Sequence, residues 1–220
     1  MGKTLFDGID ERYDFLNRLF SACLDIWWRR RMVGKLAPSK DMLVLDLATG
    51  TGDSASGILG KGARVVGFDL SLNMLARAKQ KIRNPIYQLA AGTVYSLPFR
   101  TGTFDGLTCA FGIRNMHETA KALDEIFRVM KKGGRIVLLE FSMPRSFIRV
   151  PYSFYLKRVM PAIAAMFSER DAYLYLAESI EAFHSPEELC RLIEGTGFTV
   201  CKKTPLCFGN VYIHEATKPV

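Results

Sequence analysis

The period of the apolar positions changes along the chain. Near the start, Phe15, Leu16, Leu19 and Phe20 recur at helical spacing, and two helices are predicted over about Ile9–Ser21 and Leu24–Lys35. From Met42 onward the apolar runs become short and continuous. Met42–Leu47, Arg64–Asp69, Ile86–Ala90, Gly106–Ala110 and Arg135–Phe141 read as strands. Between them lie segments of helical length: one from about Asp53, Ser71–Arg83 with Ser71 as N-cap, and Ala120–Lys131. Strands alternating with helices imply a parallel sheet covered on both faces. After an aromatic helical stretch the pattern changes again. Ser185–Glu194 carries a capping-box pattern, with Ser185 followed three residues later by Glu188. Two strand-like runs then follow, Phe198–Lys203 and Val211–Thr217, and so short a connection favours an antiparallel pair at the sheet edge. The expected fold is α/β and Rossmann-like: a seven-stranded, mostly parallel sheet with a C-terminal antiparallel hairpin and helices on both faces.

Composition narrows the class. A chain of 220 residues, 49% hydrophobic and 24% charged, suits one globular domain with a substantial core. The five cysteines are odd in number and widely spaced, with no CxxC pair, so no metal site is expected and a reducing cytoplasm fits best. The N-terminal residues carry acids where a signal peptide needs an apolar run, and no stretch is long enough to span a bilayer, so a soluble protein is expected. The net charge of +8 is compatible with nucleic acid, an anionic membrane surface or an acidic substrate. Its distribution says more than its total. Trp27-Trp28-Arg29-Arg30-Arg31 joins interfacial aromatics to a basic run. Phe141–Ser168 holds no acidic residue while Arg145, Arg149, Lys157 and Arg158 supply positive charge. These segments suit either packed or solvated helix faces or a membrane-surface or lid role.

The chemistry-bearing motif is Asp46-Leu47-Ala48-Thr49-Gly50-Thr51-Gly52-Asp53, which leaves the first strand and enters a helix. Gly50 and Gly52 allow a sharp turn and a close approach of ligand to backbone. Asp69, closing the second strand, is placed to accept hydrogen bonds from two ribose hydroxyls. Gly50-x-Gly52-x-x-Ala55 also satisfies a dinucleotide fingerprint, so a nicotinamide enzyme stays open. Asp46 suits a cationic methionine amine better than a pyrophosphate, and the terminal hairpin is the usual methyltransferase finish; both tilt the reading to S-adenosylmethionine. A non-catalytic binder of the same cofactor also remains open. No Gly-Lys-Ser or Gly-Lys-Thr follows the glycines, which excludes a P-loop.

The chain resembles the demethylmenaquinone/ubiquinone C-methyltransferases over nearly its whole length. The resemblance rests on Phe6-Asp7-x-Ile9 and Tyr13-Asp14, the glycine loop, Leu97-Pro98-Phe99, and Thr103-Phe104-Asp105. It is most specific in Phe111-Gly112-Ile113-Arg114-Asn115, Leu139-Glu140-Phe141-Ser142 and Tyr173-x-Tyr175-Leu176-Ala177-Glu178-Ser179-Ile180. It implies a class I methyltransferase fold over residues 1–220, with N-terminal helices to about residue 40 and a helical substrate lid over residues 142–183. It implies further that Thr51 and Asp69 contact the cofactor and that Thr93 and Val94 lie beside the adenine. Thr93 stands where the family usually has Asp or Asn, which shortens the reach to the adenine amino group. Ala110 stands where the family often has Ser, so a contact there must be through backbone, and Lys132 replaces a family Pro.

The implied reaction is methylation of a ring carbon of a polyprenylated hydroquinone. Such a carbon becomes nucleophilic when the adjacent phenol, with an ordinary pKa of about 10, ionises. Arg114 is expected to stabilise the developing phenolate and Asn115 to orient it. Arginine, with a pKa above about 12, is a poor base, so water would carry the proton. The competing reading is that Arg114 pairs with an acid such as Glu140 to brace the loop. Of the three histidines, His117 reads as a helix N-terminal residue, His184 as a helix boundary and His214 as structural. The expected location is the cytoplasm, with peripheral contact at the inner face of the cytoplasmic membrane through Arg29–Arg31 and the acid-free stretch. No nucleic-acid partner is expected, and self-association is left open. A small-molecule or RNA methyltransferase on the same fold is the alternative within the class.

Overall fold

The computed structural model describes residues 13–144, 147–165 and 170–220. The first predicted helix is seen as α1 (Tyr13–Phe20); the Phe6-Asp7-x-Ile9 motif lies outside the described residues. Helix α2 (Leu24–Leu36) follows. The alternating region gives β1 (Leu43–Leu47), α3 (Asp53–Leu59), β2 (Arg64–Asp69), α4 (Leu72–Lys81), β3 (Tyr87–Ala91), β4 (Phe104–Ala110), α5 (Thr119–Val129) and β5 (Met130–Phe141). Ser71 caps α4 by accepting from the Met74 amide, as its position suggests.

All seven strands form one sheet in the order β3-β2-β1-β4-β5-β7-β6, where β6 is Thr199–Leu206 and β7 is Val211–Thr217. The five alternating strands pair in parallel. Strand β7 runs antiparallel to both β5 and β6, which completes the expected hairpin. Pro205, with no amide hydrogen, falls in β6, the edge strand, where a missing donor is tolerated.

One boundary differs from the helical periodicity of the sequence. The helix expected to reach Lys131 stops at Val129, because Met130 turns extended and pairs with Phe104 at the start of β5. Both residues are fully buried. Sheet pairing has overridden local helix preference at this point.

Alternate strand positions feed two cores. Leu45, Leu47, Phe68 and Leu138 join α5 and α9 (Pro186–Gly195) on one face. Val44, Val65, Val137 and Leu139 meet Trp28, Met32 and Ile58 of α2 and α3 on the other. A third, smaller cluster belongs to the helices after β5: α6 (Arg149–Phe154), the π-helical turn Tyr155–Val159, α7 (Met160–Ala165) and α8 (Arg170–Ala182). Cys190 of α9 and Cys201 of β6 are paired as a disulfide, their Cα atoms 5.5 Å apart, a link the wide cysteine spacing does not suggest. Among the described residues there is no His/Cys/Asp/Glu group suited to a metal, and no helix long and apolar enough to cross a membrane.

Candidate active site

Strands β1 and β4 are neighbours, yet the chain leaves β1 toward β2 and leaves β4 toward β5. Connections diverging on either side of two adjacent strands open a crevice at their carboxyl ends, the place where open α/β sheets bind ligands. A cavity of about 220 Å³ lies there. Its floor is the loop after β1, from Leu47 to Thr51. Phe68–Ser71 and Gly92–Tyr95 close one end, and Ala110–Gly112 with Asn115 and Met116 close the other. Asp25 and Arg29 of α2 reach it from the side.

The loops around this cavity are held in backbone conformations that side chains disfavour. Ala48 (φ +53°), Gly50 (+55°), Gly52 (+85°) and, across the cavity, Phe111 (+60°) all occupy the left-handed region. At Gly50 an added Cβ would meet nothing within 4 Å, so the main chain is open to an approaching ligand. At Gly112 a Cβ would come within 2.5 Å of the Ala48 Cβ; the loops after β1 and β4 touch there, with only a hydrogen between them. Thr49 lies within 3.3 Å of the Tyr87 hydroxyl, whose pKa burial pushes up to about 12, so the phenol stays neutral beneath the loop.

Two carboxylates sit near the loop and behave differently. Asp69 accepts from the Gly50 amide and the Ser71 amide, each at 2.9 Å, and so ties the glycine loop to the end of β2. It lines the cavity, and burial raises its pKa despite those bonds. Each oxygen retains a second lone-pair direction for a ligand hydroxyl. Asp46 is 1% exposed, and its two oxygens accept from the Thr49 and Thr108 hydroxyls at 2.6 Å each. Burial raises its pKa as well. It holds the loop from below and is not part of the cavity wall.

The pair after β4 also divides. Arg114 makes a 2.7 Å ion pair with Glu140, and both side chains are almost wholly buried. The same guanidinium donates to the Phe111 carbonyl at 2.6 Å and to Ser179 of α8 at 3.4 Å, while Glu140 also accepts from the Arg114 and Phe141 amides. Asn115 does line the cavity, and its side-chain oxygen accepts from the Tyr175 hydroxyl at 3.3 Å.

Of the residues singled out in the sequence, Gly50, Thr51, Asp69, Thr93, Val94, Ala110 and Asn115 meet around one cavity. Gly52 turns the loop into α3, Asp46 lies below it and Arg114 lies behind the wall. The Thr93 hydroxyl accepts from the Tyr95 amide and caps the short turn that carries Val94. His117 and His184 are exposed, and His214 is buried with Nε2 3.2 Å from the Pro186 carbonyl. None of the three lines the cavity. Sequence reasoning missed Asp25 and Arg29 as cavity residues, although their spacing of four puts them on one helix face. The sequence leaves the Trp27–Arg31 run open between packed or solvated helix faces and a membrane-surface role. In the structure Trp28 packs against Phe111 and Phe141, and Arg29 bonds Ser54 and stacks over Phe111, while Arg30 and Arg31 stay exposed.

Comparison with known proteins agrees with this architecture. The family model described as the ubiE/COQ5 methyltransferase family matches residues 2–218. The ubiquinone/menaquinone biosynthesis C-methyltransferase UbiE of Geobacter sulfurreducens is 41% identical over 98% of this chain and 88% of its own. The demethylmenaquinone methyltransferase of Thermus thermophilus is 41% identical over 98% of this chain and all of its own. Among solved structures, an S-adenosylmethionine-dependent methyltransferase of Thermotoga maritima superposes with a TM-score of 0.73 at 19% identity, covering 98% of this chain and 99% of the other. Phosphoethanolamine N-methyltransferase 2 of Haemonchus contortus, in complex with S-adenosyl-L-methionine, gives 0.66 at 17% identity over 87% of this chain and 52% of the other. These structures share the class I methyltransferase fold, and the sequence relatives place the chain in its group: it belongs to the ubiE/COQ5 methyltransferase family.

Proposed function

We propose that this protein transfers the methyl group of S-adenosylmethionine to a ring carbon of a polyprenylated hydroquinone, the C-methylation step of quinone biosynthesis. The reading is carried by one observation: a chain matched over residues 2–218 by a single methyltransferase family folds its glycine loop and Asp69 into the wall of one cavity.

The cavity fits the methyl donor. Gly50 leaves open backbone, Asp69 offers acceptors for ribose hydroxyls, and Thr93 and Val94 lie one strand further along, where an adenine would reach. Thr51 and Ala110 flank the same space, with Asp46 and Gly52 holding the loop in shape. When bound, the donor supplies a methyl group on a positively charged sulfur, open to in-line attack.

The protein's own work is positioning and charge. Asn115 orients the substrate phenol, and the Tyr175 hydroxyl fixes the Asn115 amide. Arg114 is the positioning residue behind it: with Glu140 it locks the turn from Gly112 to Asn115 and joins it to α8 through Ser179. An arginine already paired to a buried carboxylate has little charge left for a phenolate, so this geometry favours the bracing reading of Arg114 over direct stabilisation. The phenol proton leaves to water; once the ring carbon has taken the methyl, with S-adenosylhomocysteine as co-product, the hydrogen on that carbon leaves as a proton and the aromatic phenol is restored.

Residues 142–183 act as the lid of one methyltransferase domain spanning 1–220. Their small core packs on α1: the Tyr155 hydroxyl donates to the Phe20 carbonyl, and the Phe20 and Tyr173 rings lie 4.5 Å apart. The lid also presents Phe147, Val150 and Phe154, each more than half exposed, close in sequence to Arg149 and Arg158. An apolar surface edged with positive charge suits an anionic bilayer, where a polyprenyl substrate resides. The protein thus works at the membrane surface, with Arg30 and Arg31 adding to the attraction.

The decisive experiment incubates the purified protein with isotopically methyl-labelled S-adenosylmethionine and demethylmenaquinol in detergent micelles, then reads the quinone by mass spectrometry. Label on the ring carbon is expected. A protein that binds S-adenosylhomocysteine yet leaves this quinol and the corresponding benzoquinol unlabelled would overturn the substrate assignment.

A further inference from the structure

Among the described residues, four charged side chains reach the cavity: Asp25, Arg29, Asp53 and Asp69. Two have evident structural duties. Asp69 holds the glycine loop through backbone amides. Asp53 is engaged by Lys81 at 2.5 Å and by Arg18 at 3.4 Å; although burial opposes it, these cations and Arg29 hold its carboxyl below the ordinary range. Asp25 and Arg29 differ. Asp25 is 6% exposed, takes a hydrogen bond from the Ser21 hydroxyl at 2.9 Å, and faces the cavity. Arg29 spends one nitrogen on the Ser54 hydroxyl at 2.8 Å and holds its guanidinium carbon over the Phe111 ring, 5.3 Å from the centroid. Its Nε is buried and has no hydrogen-bond partner among the described residues. A buried guanidinium N–H left without an acceptor is costly unless a ligand supplies one.

The place of this pair fixes what the ligand offers. Asp69 ends β2, while Phe111, under Arg29, follows β4, two strands away and about 10 Å across the sheet. That is about the span from a ribose to the far end of a short amino-acid chain. Opposite charges one helical turn apart match an α-amino acid, whose ammonium and carboxylate are adjacent. Asp46, which the sequence favoured for the amine, is 1% exposed and lies outside the wall.

We propose that Asp25 and Arg29 form a clamp for the zwitterionic methionine end of the methyl donor, Arg29 taking the carboxylate and Asp25 the ammonium. The clamp rests on the reading of the cavity as a methyl-donor site, and it extends that site onto the N-terminal helix. Both charges come from α2, so this helix selects the intact donor and product over adenosine fragments that lack the amino-acid tail.

The test uses three ligands measured by calorimetry on the full chain: S-adenosylhomocysteine, its decarboxylated analogue, and 5′-methylthioadenosine, which lacks the amino-acid group. Arg29→Met is expected to weaken S-adenosylhomocysteine by about 10- to 100-fold while the other two ligands keep their wild-type affinity. Asp25→Asn is expected to weaken both amine-bearing ligands and spare 5′-methylthioadenosine. Retained binding of 5′-methylthioadenosine shows that the variant is folded with its adenosine site intact. Equal loss across all three ligands, or no loss of S-adenosylhomocysteine in either variant, overturns the clamp. If wild-type protein binds none of the three, the methyl-donor reading itself fails, and the clamp with it.

Discussion

The two sides of the cavity are built by different means. On the sheet side, backbone does the work: amides of Gly50 and Ser71 grip Asp69, and left-handed turns at Ala48, Gly50 and Gly52 aim the main chain at the ligand. On the lid side, side chains do it: a cluster of aliphatic and aromatic residues packs against Phe20 of α1 and is tied to the sheet through Arg114, Glu140 and Ser179. A backbone-built site tolerates few residue types at each turn, while a packed side-chain cluster accepts any set of the right volume. The sheet side should therefore be brittle and specific, and the lid side plastic.

The sharpest challenge to that contrast is one methyl group. Gly112→Ala places a Cβ 2.5 Å from that of Ala48, so the loops after β1 and β4 must part. A drop in turnover of at least about 100-fold is expected, with S-adenosylhomocysteine binding lost in calorimetry. Leu176→Met in the lid, a change of similar bulk, should cost under about 1.5 kcal/mol in denaturant unfolding. Comparable damage from the two substitutions would erase the distinction.

Arg114 and Asn115 are adjacent but belong to the two kinds of construction, so they sharpen it. Arg114→Ala strands a buried Glu140 and should cost about 3 to 5 kcal/mol of stability. Asn115→Ala should leave stability within about 1 kcal/mol and lower kcat by about 10- to 100-fold without shifting S-adenosylhomocysteine affinity. The reverse pattern would make Arg114 the group that meets substrate.

Acid should attack the sheet side first. Burial, reinforced by nearby Lys203 and opposed by the Pro186 carbonyl and Glu187, lowers the His214 pKa to about 4 from 6.5. The folded protein therefore binds this proton less readily than the unfolded chain. The stabilisation is complete above about pH 6.5 and is lost as pH falls toward 4, about 3 kcal/mol at most. Asp46 and Asp69, whose pKa values burial raises, take up protons more readily folded than unfolded and so oppose the loss. Urea midpoints measured across this window should fall for the wild type and flatten in His214→Gln. The lid's Tyr152 and Tyr155, both pushed above the ordinary phenol range by burial, take no part below neutral pH.

The smallest effect concerns the outer surface of the lid. Phe147→Ser with Phe154→Ser should reduce binding to anionic vesicles several-fold, and salt should weaken what remains. Unchanged partitioning would make these exposed rings something other than a membrane contact.

The same division explains what could be read from the sequence. The strand order's parallel core, the hairpin, the Ser71 and Ser185 caps and the glycine loop each follow from residue types that few conformations accept. Val44 and Leu45, adjacent in β1, went to opposite cores as strand alternation requires. Asp25 and Arg29 were not legible because nothing local marks which helix face meets a distant loop. The sequence of Trp27–Arg31 suits a packed, solvated or membrane-facing helix face alike, and only tertiary packing turns Trp28 and Arg29 inward. Met130 was misread for the same reason, since its strand partner Phe104 lies 26 residues away.

Trp28 has one more consequence. The chain has two tryptophans, one on the surface and one whose indole stands 6.0 Å from the Phe111 ring at the cavity rim. With Trp27 replaced by phenylalanine, the remaining indole emission becomes a built-in optical gauge of whether the cleft is filled, readable in a cuvette without label or substrate.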